Sequence, residues 1–104
     1  MTQTFQQVRD WAKDRNLLNA DPFKQLAKTQ EELGELAAAM LRKNEAEIVD
    51  GLGDCVVCLT ILAAQHGLSL ETCFYTAYAE IANRKGENRD GVFVKQEDLN
   101  KERE

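Results

Sequence analysis

Residues 31–36 read EELGEL, three carboxylates within five positions, and DGLGD at 50–54 adds two aspartates one helical turn apart. Carboxylates that converge in a partly buried place either raise their pKa or bind a cation, because like charges a few ångströms apart are costly to keep ionised. Oxygen-only donors suit Mg²⁺, with Mn²⁺ as its alternative, better than zinc. The chemistry open to these residues is that of a hard divalent ion.

The helices that carry them weigh for and against this reading. At about 100° per residue, Leu26, Leu33, Ala37, Met40 and Leu41 share one side, the expected core face, while Lys28, Glu31, Glu32 and Glu35 gather on the other. Taken alone, that charged side is a solvated surface. Asp50 and Asp54 alter the balance, since their line continues through Val57 and Ile61, and positions 55–64 are apolar nearly all round. Such a helix is buried on several sides, which predicts that the two aspartates face a wall or cleft of protein. From Asn44 to Asn83 there is no Lys or Arg, so the acids of that stretch are expected to lack a local base. Gly34, Gly51 and Gly53 each cost about 1 kcal/mol against alanine inside a helix. They read either as space for a ligand or a close helix, or as a simple bend.

The positioning elements announce themselves by capping chemistry. Phe5, Val8 and Ala12 recur at helical spacing and predict a first helix over about 4–15. Asp21-Pro22 starts a second, over 22–43, with Asp as cap and Pro at a position whose missing donor has no partner. Asn44 and Glu47 have the spacing of a reciprocal capping box, opening a third helix over 45–66 that Gly67 terminates, with His66 as a helix-end residue. Ser69 caps a fourth, over 69–85, whose stripe is Leu70, Phe74, Ala77, Tyr78 and Ile81. The tail, 86–104, is charged and glycine-containing; it predicts an extended or hairpin-like segment that packs Phe93 down and then frays. With no alternating pattern long enough for a sheet, the fold class is all-α, a four-helix arrangement in one domain spanning 1–104.

Composition narrows the function. The chain of 104 residues holds 18 acidic and 13 basic residues, a net charge of −5, which argues against a coat for a nucleic-acid polymer. Domains this short often enlarge their core by oligomerising. The start MTQTFQQVRDWAKDRN lacks a targeting pattern, and CVVCLTILAA falls well short of the ~20 residues a spanning helix needs, so no membrane partner and a cytoplasmic location are expected. Cys55, Cys58 and Cys73 read as reduced, the first two as small buried hydrophobes rather than zinc ligands.

EELGEL followed by DGLGD resembles the MazG-like family of all-α nucleoside triphosphate pyrophosphohydrolases, whose helical signature is EExxE, a spacer, then ExxD. Glu31, Glu32 and Glu35 match the first half and Asp54 the last position of the second, while Gly51 stands where the family often has Glu. Asp50 is the natural substitute, one turn before Asp54. RDWAKDRNL, EIANRKG and DGVFVK are also similar to short members, so the resemblance covers nearly the whole chain.

The resemblance implies a four-helix bundle completed by oligomerisation, as dimer or tetramer. It implies Mg²⁺-dependent hydrolysis of a (d)NTP to a (d)NMP and pyrophosphate by water attacking the α-phosphorus. Its metal residues are Glu32, Glu35, Asp50 and Asp54, and its catalytic glutamates Glu31, Glu32 and Glu35, Glu31 being either a further ligand or the base. Lys28, Arg84, Lys85 and Lys95 are candidates for phosphate contacts, Trp11 and Phe5 for stacking on a base, and Asn83 for a hydrogen bond to the ligand. The alternative class is a non-catalytic helical oligomer that keeps the fold with an incomplete metal site.

Overall fold

Asp21 caps the longest helical hairpin of the chain: its carboxylate accepts from the Phe23 amide at 2.9 Å, with Pro22 at the first helical position. The computed structural model describes residues 2–102. It contains α1 (Thr2–Asp14), α2 (Pro22–Arg42), α3 (Glu45–Gln65), α4 (Leu70–Ile81), β1 (Gly86–Arg89), β2 (Val92–Lys95) and α5 (Gln96–Glu102). Helix dominates and the all-α class stands, with one small hairpin added. No helix among the described residues is long and apolar enough to cross a membrane. The chain forms two compact units, Met1–Cys73 and Phe74–Glu104.

In the first unit α2 packs along α3, and α1 packs on α3. The turn between α2 and α3 is set by local chemistry. Lys43 takes a left-handed conformation (φ 55°) and its amide bonds back to Ala39 and Met40, which stops α2 at Arg42. Asn44 then accepts from the Glu47 amide at 3.1 Å and opens α3. Only that half of the expected capping box forms: the Asn44 amide bonds to the Ala39 carbonyl, and the Glu47 carboxylate turns to Arg42. Gly67 has φ 72°, the left-handed stop expected after α3. Ser69 Oγ accepts from the Thr72 amide at 3.1 Å at the start of α4.

The buried line of α2 differs from the expected one. Glu32, Leu36 and Ala39 face α3, where Gly51, Cys55 and Cys58 are buried, whereas Leu33 is 57% exposed and Met40 59%. Small residues decide this. A side chain at Gly51 would lie 3.2 Å from Leu36 Cα, a closer contact than a β-carbon ordinarily makes, so Leu36 would have to give by a few tenths of an ångström. Gly34 and Gly53 have nothing near their missing side chains and serve no such contact. In α4 the expected core residues Phe74, Tyr78 and Ile81 are all exposed, and the helix ends at Ile81 rather than 85.

In the second unit the tail is a hairpin, with Gly86 opposite Lys95 and Arg89 opposite Val92. Asp90 (φ 52°) and Gly91 (φ 87°) supply the two left-handed residues that a two-residue hairpin loop requires. Phe93 lies over Gly86 but stays 53% exposed, so it is not packed down as expected. The end does not fray after β2 either. Gln96 begins α5, which lies against both strands and places Leu99 at 1% exposure.

Candidate active site

Two rows of side chains at helical spacing face each other across the α2–α3 hairpin: Glu35, Ala38 and Arg42 on α2, with Glu47, Asp50 and Asp54 on α3. With Ala39 and Gly51 as floor they line a cleft of about 350 Å³. Alanine and glycine make the room; the acids give it a negative wall. Glu35, Asp50 and Asp54, drawn from separate motifs, therefore border one space. Asp50 and Asp54 face a cleft as expected, and both are exposed.

The expectation that these acids lack a base is corrected by Arg42, which lies just before the Lys-free and Arg-free stretch. Its Nε and Nη2 both donate to Glu47 Oε2, at 2.9 and 2.5 Å. Arg42 carries no part in the sequence reading, and Glu47 enters it only as a cap. The signal was there in spacing: Arg42 follows Glu35 by two turns, as Asp54 follows Glu47.

Glu32 stands apart from the cleft lining. It is the one charged side chain among the buried described residues, 9% exposed on the α3-facing line. Lys28 Nζ lies 3.1 Å from Glu32 and 3.7 Å from Glu31, so the ammonium bridges both. The Glu32 hydrogen bond, with Glu31 and Glu35 nearby, raises the Lys28 pKa above its ordinary value. Burial, with Glu32 beside it, pushes the Cys58 thiol up, which keeps it neutral; all three cysteines are free.

The donor set fits a hard cation in kind: every candidate offers carboxylate oxygen, and a cation, the Lys28 ammonium, already stands against Glu31 and Glu32. Among the described residues no three His, Cys, Asp or Glu side chains gather closely enough to hold a metal ion. The predicted set thus divides into Glu32 at Lys28 and Glu35, Asp50 and Asp54 at the cleft.

The remaining candidates are placed as follows. Trp11 lines an apolar depression with Thr4, Gln7, Val8 and Val57, its ring covered by the Arg15 guanidinium at 4.3 Å. Phe5 is half-buried and does not line that depression. Asn83, Arg84, Lys85 and Lys95 are exposed in the second unit. Lys85 and Lys95 meet at the open end of the hairpin, where the Gln96 amide bonds to the Lys85 carbonyl at 2.9 Å.

Comparison with known proteins places this geometry. Residues 3–83, which include every acid of the site, match the phosphoribosyl-ATP pyrophosphohydrolase (PRA-PH) family. An uncharacterized 18.2 kDa protein from the rep-hol intergenic region of Haemophilus phage HP1 is 39% identical over 67 residues, 64% of this chain. That match spans 41% of the phage protein, so the chain covers less than half of its relative's length. No solved structure matches. The MazG-like resemblance is refined at the level of family and upheld at the level of superfamily: the chain belongs to the phosphoribosyl-ATP pyrophosphohydrolase family, within the all-α nucleoside triphosphate pyrophosphatase superfamily.

Proposed function

We propose that the chain is a Mg²⁺-dependent nucleotide pyrophosphohydrolase, converting a (d)NTP or a phosphoribosylated relative and water into the monophosphate and pyrophosphate. The observation that carries this reading is the meeting of Glu35, Asp50 and Asp54 at one cleft, in a chain of this family. Glu35, Asp50 and Asp54 at the cleft would hold the ion, with Asp50 doing what Glu does at the Gly51 position of related motifs, and Glu32, outside the lining beside Lys28, would be the further ligand the resemblance implies. Mg²⁺ when bound supplies two things: a lowered pKa for a water and compensation of phosphoryl charge. Glu31, exposed beside Glu32, would serve as a further ligand or as the base that takes the proton of the water attacking the α-phosphorus, pyrophosphate being the leaving group. Lys28 sets a positive charge 3.1 Å from the buried Glu32 carboxylate.

The same reading has the chain work as a homo-oligomer. Leu26, Leu33 and Met40 of α2 and Val49, Leu52, Val56 and Leu59 of α3 are exposed apolar residues on the flank opposite the acids. A second copy is the occupant that this flank suits. The non-catalytic alternative draws on Gly51 and on the open arrangement of the acids.

The test is pyrophosphate release from a panel of NTPs, dNTPs and phosphoribosyl-ATP, with and without Mg²⁺, against Glu35→Gln. Metal-dependent release lost in the mutant is expected. Absence of release from every nucleotide, or equal release by the mutant, favours the non-catalytic module.

A further inference from the structure

A cleft whose wall carries Glu35, Glu47, Asp50 and Asp54 repels the polyphosphate it is meant to admit, and one cation lines it, Arg42. We propose that Arg42 is a substrate-binding residue of this cleft, taking up phosphate charge of the nucleotide, and that Glu47 is the positioning residue that holds its guanidinium for the purpose. The inference rests on the pyrophosphohydrolase reading and adds to it the group that meets the anion.

Three observations support it. Arg42 lies on the same face of α2 as Glu35, two turns on, so its side chain borders the space that the acids border. Its Nε and Nη2 converge on a single oxygen, Glu47 Oε2, while Nη1 makes no hydrogen bond among the described residues. A guanidinium presents donors in a fixed planar fork, so pinning one edge aims the other and leaves it available to a phosphate oxygen. Lastly, Glu47 is itself fixed at the backbone, because its amide is the one that the Asn44 side chain caps.

The pair also has an ordinary structural reading, a staple across the α2–α3 turn. The two readings separate in Michaelis constants. A staple is lost equally by Arg42→Ala and Glu47→Gln, with lowered melting temperature and unchanged KM in both. The proposed role predicts that Arg42→Ala raises KM for the preferred nucleotide, and the inhibition constant of inorganic pyrophosphate, by about tenfold or more, with kcat changed far less. Glu47→Gln, which leaves the positive charge in the cleft, raises KM by less than Arg42→Ala does. Arg42→Lys, which keeps charge without the fork, falls between wild type and Arg42→Ala and serves as the reading if the alanine variant does not fold. An unchanged KM and pyrophosphate inhibition in Arg42→Ala, or equal shifts in Arg42→Ala and Glu47→Gln, overturns the proposal while leaving the hydrolase reading intact. A wild-type chain that hydrolyses no nucleotide overturns both.

Discussion

Lys28 Nζ lies 3.1 Å from Glu32 Oε1, one turn along α2, and so supplies the positive charge beside the buried carboxylate of the EELGEL motif. Removing one partner of such a pair leaves the other without compensation, which costs more than the pair contributes. Lys28→Met is expected to lower the melting temperature in metal-free buffer, and Mg²⁺ is expected to restore part of the loss. Scanning calorimetry with and without Mg²⁺ checks this; equal losses in both buffers would separate Lys28 from the proposed cation site.

The three helical glycines of the motifs should respond in opposite directions to alanine. Gly34→Ala and Gly53→Ala meet open space and gain helix propensity, so each is expected to stabilise the fold by up to about 1 kcal/mol. Gly51→Ala must push against the Leu36 backbone and is expected to destabilise by about 1–3 kcal/mol. Urea denaturation midpoints decide the signs.

Arg9 and Glu71 form a two-pronged ion pair, at 2.6 and 2.8 Å, that ties α1 to the first turn of α4. The guanidinium holds the Glu71 carboxyl down to about 2 from its ordinary 4.5. A carboxyl whose folded pKa is depressed contributes stability above its unfolded pKa and loses it as pH falls through the folded one. The pair's contribution should therefore be complete above about pH 4.5 and vanish towards pH 2. Unfolding measured from pH 6 to 2 should fall more steeply for wild type than for Glu71→Gln; parallel curves would leave the pair without a part in acid stability.

The apolar flank gives a prediction about assembly. Leu33→Glu or Leu52→Glu places a charge where a second copy is proposed to sit, and light scattering is expected to show a smaller species than wild type. If wild type is itself monomeric, the flank covers something other than its own copy.

Helix ends were readable in the sequence because capping is local: Asp21 with Pro22, Asn44, Gly67 and Ser69 each act on amides or turns within a few residues. The buried face of α2 was not. A helix wheel picks the more apolar stripe, Leu26, Leu33 and Met40, yet this chain buries the poorer line of Glu32, Leu36 and Ala39. What decides is the missing side chain of Gly51 on the opposite helix, and hydrophobicity along α2 holds no record of it. Helix α5 escaped for a related reason, since Leu99 is a single apolar residue in a charged run and its burial is a matter of tertiary contact. Of the acids named from their spacing within each helix, Glu35, Asp50 and Asp54 border one cleft. Arg42 belongs to no such motif, and its place at that cleft is a matter of tertiary contact with Glu47.

The contact between Gly51 and Leu36 also works as a fulcrum. Glu35 immediately precedes Leu36, and Asp50 immediately precedes Gly51, so the backbones that carry opposing acids meet at a tight contact. The gauge of the cleft is thus set by two residues that bear no charge. Any change that levers the hairpin open at position 51 is expected to move both walls together without touching a single acid.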